Sequence, residues 1–422
     1  MSTGTRVEDA RQTLFEAIEQ RTGELVEIVA ELVKRPSGLG HEALVQEYVA
    51  EHLRGTTEDV EVWDLDDSVL AEPNAGNSGV PFPGRPNVTG KIAGSGGGKS
   101  LILNGHIDVV SPEPVEHWTH DPWGAEIVGS KMFGRGAYDM KSGVAANLFL
   151  PRLLKDTGIN LRGDLTVHSV IEEECTGNGS LAASLRDRAD AALVTESTGR
   201  QVPTGHLGVI WFRIAIQGRS AHAGWATQGV NAIVKSVPII QALHQLDADL
   251  NINVHPMYVG IEHPINLNIG VIRSGDWPST VPGEAEIRCR VSFFPDMSRE
   301  QMHRTIETTI AAACAGDPWL EAHPPVITYD GFDTDGCVIS PDDPFFRALE
   351  NASLDATDLP LLPEAKTAVN DMRYYIFQGV PSTCYGAEGG NAHGVDEWLD
   401  LASLPTVART MASLLVDWCG VA

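Results

Sequence analysis

Apolar residues recur at helical spacing over residues 8–34, at Leu14, Ile18, Leu25, Ile28, Val29, Leu32 and Val33, and a Pro-Ser-Gly break follows at 36–38. A second helix is predicted over Glu42–Leu53. The period then shortens. Strand-like runs cover Val60–Val62, Asn87–Ile92, Leu101–Asn104, Leu165–Ile171 and Ala192–Val194, with helix-compatible runs at Gly143–Leu154 and Ser180–Arg188 between the last three. Strands alternating with helices predict an α/β sheet with helices on its faces.

The texture changes near Gly205. Strands are predicted at Val209–Gln217, Leu267–Ile272 and Ala285–Phe293, and helices at Asn231–Leu246 and Ser298–Cys314. That order is a β-α-β-β-α unit over 205–322, with Pro318, Pro324 and Pro325 marking its exit. Residues 323–422 return to α/β character and end in a helix around Leu404–Trp418. The expectation is a catalytic domain of residues 1–204 and 323–422, its mixed sheet flanked by helices, interrupted by an inserted α+β domain of ferredoxin-like type at 205–322. One stretch, Ala93–Ser100 (AGSGGGKS), nearly spells a phosphate-binding loop, which needs a helix after it to aim amides at the anion. A strand-like run, LILNGHIDVV, follows instead, so the stretch reads as a flexible turn.

Composition narrows the function. The 422 residues are 42% hydrophobic and 21% charged, with 30 Lys+Arg against 57 Asp+Glu, a net charge of −27. A surface so acidic repels phosphate backbones and anionic lipid, which argues against nucleic-acid and membrane-surface partners. No run reaches the roughly 18–20 apolar residues of a membrane span, and the charged N-terminus lacks an apolar signal core. The 6 cysteines are scattered and never form C-x-x-C, the usage of a reduced, cytoplasmic protein.

Four stretches place metal-binding side chains at strand ends. LILNGHIDVV carries His106 and Asp108, which at a period of two point the same way. GRGAYDMKSG carries Asp139 just before a helix; VIEEECTGNGS ends an apolar strand with Glu172, Glu173 and Glu174; ALVTESTG holds Glu196. Singly, each is an ordinary loop residue or solvated turn. Together they are the mixture of histidine and carboxylates that holds a pair of divalent ions, at the strand ends where α/β sheets build their sites.

At this point the chain resembles the dinuclear zinc hydrolases that include acetylornithine deacetylase, succinyl-diaminopimelate desuccinylase, aminoacylase and carboxypeptidase G. The matching pieces, in order, are GHIDVV, GAYDMKSG, EEECTGNGS, the glutamate of VTEST, GRSAHAG, GVNAI and EGGNAHGVDE, from about residue 100 onward. The resemblance implies two divalent ions per subunit, zinc, cobalt or manganese. His106 would serve one and His393 the other, Asp139 would bridge them, and Glu174 and Glu196 would complete one set each. Glu173 would be the general base that takes a proton from water and delivers it to the leaving nitrogen, with Asp108 orienting His106. The inserted domain would form a homodimer or larger assembly, and His222 of GRSAHAG would reach the partner's active site to stabilise an oxyanion. Arg290 in EIRCR and Arg373 in NDMRYY would hold a substrate carboxylate. Cys175, beside the triplet, has no paired base and reads as inert.

The implied activity is hydrolysis of a C–N bond, the amide of an N-acyl amino acid or similar small carboxylate. Two departures bear on substrate: the family's H-[SA]-G-x-P becomes His222-Ala223-Gly224-Trp225-Ala226, and the usual Asn is Ser279 in DWPSTVP, just after Trp277. Trp225 and Ser279 thus point to a wider, flatter pocket for an aromatic group. Hydrolytic deamination of an aromatic amino-carboxylate, dipeptide or carboxypeptide cleavage, and an inactive metal-binding scaffold stand as alternatives.

Overall fold

The computed structural model describes residues 3–422. The helix Thr3–Val33 breaks its helical geometry at Arg21, and the helix Ala43–Arg54 follows. A six-stranded sheet forms the centre, ordered Asp59–Asp64, Pro86–Ile92, Leu165–Val170, Leu101–His106, Ala191–Val194 and Ser382–Cys384. The first two pairings are antiparallel and the last three parallel. Every residue of Leu101–His106 and Ala191–Val194 is buried, as strands covered on both faces require. Helices Thr3–Val33, Ala43–Arg54, Ser142–Thr157, Pro344–Thr357 and Ser403–Trp418 share the core around this sheet, which contains Ile18, Val49, Phe149, Phe345 and Leu415.

A second sheet is antiparallel throughout, ordered Leu267–Ser274, Glu284–Phe293, Gly208–Gln217 and Val326–Thr334. One face packs on helices Ala232–Leu250 and Arg299–Cys314 through Phe212, Ile214, Ile287, Leu243 and Ile306. The other face, with Trp211, Arg213, Arg288 and Arg290, carries no helix of its own, so the strands alternate inward apolar and outward polar residues. The five elements predicted between 209 and 314 are all present. The fourth strand, Val326–Thr334, lies outside the predicted set and carries the sheet past residue 322. The fold is therefore an α/β catalytic region with an inserted α+β unit.

Other short pairings also escape the hydrophobic pattern. Gln201–His206 pairs with Leu362–Lys366 and Cys337–Val338 between the two sheets, and Glu126–Val128, Lys131–Phe133, Gly389–Gly390 and Trp398–Asp400 form a small sheet. The glycine run 94–98 is a turn that leads into Leu101–His106. Among the described residues, no helix is long and apolar enough to cross a membrane.

Candidate metal centre

The parallel strands end on one side of the sheet, and the chemistry collects there. His106 is the last residue of its strand; the glutamate triplet follows Val170; Glu196 lies two residues past Val194. Opposite them, Asp139 sits in the turn Ala137–Lys141 that opens the helix Ser142–Thr157. Gly143 lets that helix start against the strand end, because a Cβ there would collide with the Thr195 carbonyl.

These side chains converge. His106 Nε2 lies 3.3 Å from Asp139 Oδ1, 3.6 Å from Glu196 Oε1 and 4.0 Å from Glu173 Oε2. His393 Nε2 lies 2.9 Å from Glu174 Oε2 and 3.5 Å from Asp139 Oδ2. The two oxygens of Asp139 therefore face two different imidazoles. His106, Glu173 and Glu196 offer ligand atoms within 4.8 Å of one another, and so do His106, Asp139 and Glu174.

Several of these groups are braced from behind. The His106 Nδ1 bonds at 2.9 Å to the main-chain carbonyl of Asp108, which leaves Nε2 turned toward the carboxylates. This departs from the expectation for Asp108. Its carboxylate is 3.7 Å from the imidazole and instead accepts the backbone N–H groups of Glu173 and Glu174, one on each oxygen at 3.1 Å. The reason is geometric: the triplet makes a turn whose amides need an acceptor, and the buried carboxylate is the acceptor in reach.

The turn bearing Asp139 hangs on Glu397. That buried carboxylate accepts the N–H groups of Gly136, Tyr138 and Asp139, each at 3.0 Å, and pairs with Arg135 Nη1 at 2.6 Å. Sequence reading passes over Glu397, although it closes the EGGNAHGVDE stretch; the acid at its end is the available signal. Lys141, also missed, buries its ammonium on the carbonyls of Leu32 and Arg35, both at 2.9 Å, and burial pushes its pKa down to about 7.

Charge in the cluster is badly balanced by protein groups alone. Burial and the neighbouring Asp371 push the Glu173 carboxyl well above the ordinary range, and burial raises Glu196 to about 8. Burial also raises Asp108 to about 7. Burial opposes the His106 imidazolium, but Glu196, Asp139 and Glu173 outweigh it and raise that pKa well above the histidine value. Hydrogen bonds to Asp139 and Glu174 raise His393 to about 10. Burial opposes the Asp139 charge, but the two imidazoles outweigh it and hold its carboxyl below the ordinary range. With Glu173 and Glu196 driven to hold protons and both imidazoles driven to stay cationic, the donor set is short of positive charge, and two divalent cations fit it.

The remaining candidates lie elsewhere. His222 is exposed on a two-residue strand paired with Thr280, and its Nδ1 accepts the Gly224 N–H at 3.1 Å. Trp225, 64% exposed, brings its ring to 5.3 Å from that imidazole, and Trp277 is 68% exposed nearby in the chain segment that pairs with it. Ser279 is exposed, and its carbonyl accepts the Ala223 N–H at 2.9 Å. Arg290 is half-buried on the open sheet face, across from Trp211 and Asn268, with no hydrogen bond or ion pair among the described residues. A cleft of about 980 Å³ runs along this face by Gln217, Arg273, Glu286 and Val326, and it shares no lining residue with the ligand cluster.

Arg373 lies in the protein interior. Its guanidinium is fully buried and donates to the carbonyls of Asn370 at 2.6 Å and Thr176 at 3.3 Å. Asp371 and Glu173 lie close enough to favour its charge in that dry setting; Nη2 also donates to the Tyr374 hydroxyl at 3.0 Å, and Nε has no hydrogen-bond partner among the described residues.

A mixed sheet with an inserted α+β unit and a two-histidine carboxylate cluster at its strand ends defines a class of metal-dependent hydrolase. The chain belongs to peptidase family M20/M25/M40, whose sequence pattern matches residues 102–417. It is 28% identical over 439 aligned positions to the N-formyl-4-amino-5-aminomethyl-2-methylpyrimidine deformylase of Bacillus subtilis, covering 96% of this chain and 97% of that one. It is 27% identical to the acetylornithine deacetylase of Pectobacterium atrosepticum, over 80% of this chain and 86% of that one. In fold it resembles a di-peptidase of Saccharomyces cerevisiae, with a TM-score of 0.78 at 14% identity, covering 97% of this chain and 98% of that one.

Proposed function

We propose that this hydrolase removes a small acyl group, of formyl or acetyl size, from the nitrogen of an amine that carries an aromatic or carboxylate group. The observation that carries the reading is the placement of one carboxylate, Asp139, between two imidazoles, with three glutamates around them. The deformylase and deacetylase relatives support amide hydrolysis of this kind.

In this reading His106 and Glu196 would hold one divalent ion, His393 and Glu174 the other, and Asp139 would serve both. Zinc, cobalt or manganese, when bound there, supplies the Lewis acidity that acidifies a water and polarises the acyl oxygen. Glu173 takes one proton from the attacking water. It returns that proton to the amide nitrogen as the C–N bond breaks, so the products are a carboxylic acid and a free amine. Asp108 and Glu397 keep the ligand-bearing turns in place while the proton moves.

The same reading makes residues 205–322 a lid and dimerisation unit. An exposed His222 at its tip, and exposed Ile233, Val234 and Val237 on its helix, support a homodimer in which the tip enters the partner's site as an oxyanion donor. Trp225 and Ser279 then border the substrate, and Arg290 binds its carboxylate where one is present. Six free cysteines and the acidic surface support a reducing, cytoplasmic setting.

The test is mass spectrometry of products from metal-loaded protein given N-formyl and N-acetyl aromatic amines, N-acyl amino acids, dipeptides and aminobenzoates, with Glu173→Gln as blank. A free amine with formate or acetate is the expected result. Ammonia with a hydroxylated ring, or two amino acids, would replace this reading by aromatic deamination or dipeptide cleavage.

A further inference from the structure

Glu172 is the member of the triplet that turns away from the ligand cluster. Its buried carboxylate takes four donors: Ser78 Oγ at 2.9 Å, Arg85 Nη1 at 2.6 Å, Thr176 Oγ1 at 2.7 Å and Asn178 Nδ2 at 3.4 Å. The far side of the same guanidinium closes on Glu42, with Nε 3.0 Å from Oε2 and Nη2 2.6 Å from Oε1. Glu42 stands at the start of helix Ala43–Arg54 and Arg85 just before strand Pro86–Ile92. All three side chains are at most 5% exposed.

Burying a guanidinium with two carboxylates is costly, and such groups are best attested where they select one geometry among several. Here the geometry is that of the ligand-bearing turn. Glu172 has a φ of 66°, a region that side-chain-bearing residues seldom adopt, and its carbonyl accepts the N–H of Thr176 at 3.0 Å and of Gly177 at 2.6 Å. The next two residues, Glu173 and Glu174, hang by their amides from Asp108. The turn is thus held through the amides on Asp108 and through the Glu172 side chain on Arg85, Ser78, Thr176 and Asn178. Without Arg85, the buried carboxylate loses its charge partner and the unusual backbone at Glu172 keeps only neutral side-chain anchors.

We infer that Arg85, braced by Glu42 and acting through Glu172, is a positioning residue that sets the direction in which Glu173 and Glu174 leave the turn. The inference rests on the reading of Glu173 as base and Glu174 as metal ligand.

Cobalt(II) titration followed by visible absorption tests it without a substrate, and kcat and KM on the substrate found by the product assay add a second readout. Arg85→Met is expected to weaken the more loosely held cobalt ion at least tenfold, alter its absorption band, and lower kcat about a hundredfold with KM within twofold. Arg85→Lys, which keeps the charge, should recover at least tenfold of that kcat. A purely structural role would lower thermal stability while folded protein kept the wild-type cobalt spectrum and kcat, and that result would overturn the inference. If Arg85→Met does not fold, Glu172→Gln is judged by the same thresholds. Glu173→Gln runs in parallel: if it turns over normally, the site reading fails; if it is inactive while the Arg85 and Glu172 variants behave as wild type, only the inference fails.

Discussion

In the catalytic region most of the clustered groups have a bond behind them: His106 on the Asp108 carbonyl, Asp139 on Glu397 through its amide, Glu173 and Glu174 through their amides on Asp108. At the tip of the inserted unit the pattern is reversed. His222, Trp225, Trp277 and Ser279 are exposed, and the tip is held mainly by main-chain pairing of Ala221–His222 with Thr280–Val281. The first region is largely preorganised within one chain, which suits the proposed holding of divalent ions and aiming of a base. The second presents large aromatic surface to solvent, which is costly unless another surface covers it. A largely buried cluster in one region and an uncovered tip in another are what a site shared between two copies would need.

The sharpest test of the buried side is Glu173→Gln. Turnover should fall about a thousand- to ten-thousand-fold, while metal analysis finds the same two ions as in wild type. Retained activity would show that the braced carboxylate is not the base. His222→Ala tests the tip, and turnover is expected to drop about a hundred- to a thousand-fold, more than substrate affinity. Mixing it with Glu173→Gln protein should restore part of the activity, because a heterodimer carries one site with both groups intact; no rescue would mean that the tip works within its own chain or not at all.

Trp225→Ala asks for less. KM for an aromatic amide should rise roughly three- to tenfold, the worth of one ring contact, with little change for an aliphatic one. Equal effects on both substrates would remove the ring-stacking role.

A further effect concerns the cost of burial itself. Burial pushes the pKa of His206 down to about 3 from an ordinary 6.5, with the charge of Arg373 adding to it. The unfolded chain therefore binds a proton that the folded one refuses, and stability falls as pH drops through that interval, by about 1.4 kcal/mol per pH unit from this residue. Urea unfolding between pH 6 and pH 4 should show that slope, and His206→Gln should flatten it. An unchanged slope would assign the acid sensitivity to other groups.

Much of this is legible in the residue pattern. Period two and period 3.6 mark the strands at Asn87–Ile92 and Leu165–Ile171 and the helices of the inserted unit; the helices bury one consistent face, whereas the two strands are buried at most of their residues. The short pairings Gln201–His206 with Leu362–Lys366 and Val326–Thr334 with Gly208–Gln217 are not legible, since their partners are distant in sequence and their burial is uneven. The residue types of the site can be read as well: histidines and carboxylates at strand ends and next to glycines.

Chain order alone brings His106, Asp139, the triplet and Glu196 to neighbouring loops, because parallel strands with helical crossovers end on one side of a sheet. What only the tertiary structure decided was the work of the supporting groups. Three adjacent glutamates are identical to any local rule, yet Glu172 faces Arg85 while Glu174 faces His393. The Asp108 carboxylate holds amides while its carbonyl holds the imidazole, Arg373 donates to the carbonyls of Asn370 and Thr176, and Glu397 carries the Asp139 turn. Those roles depend on which buried donor or acceptor lies within about 3 Å once distant segments are packed, a distance that no spacing along the chain encodes.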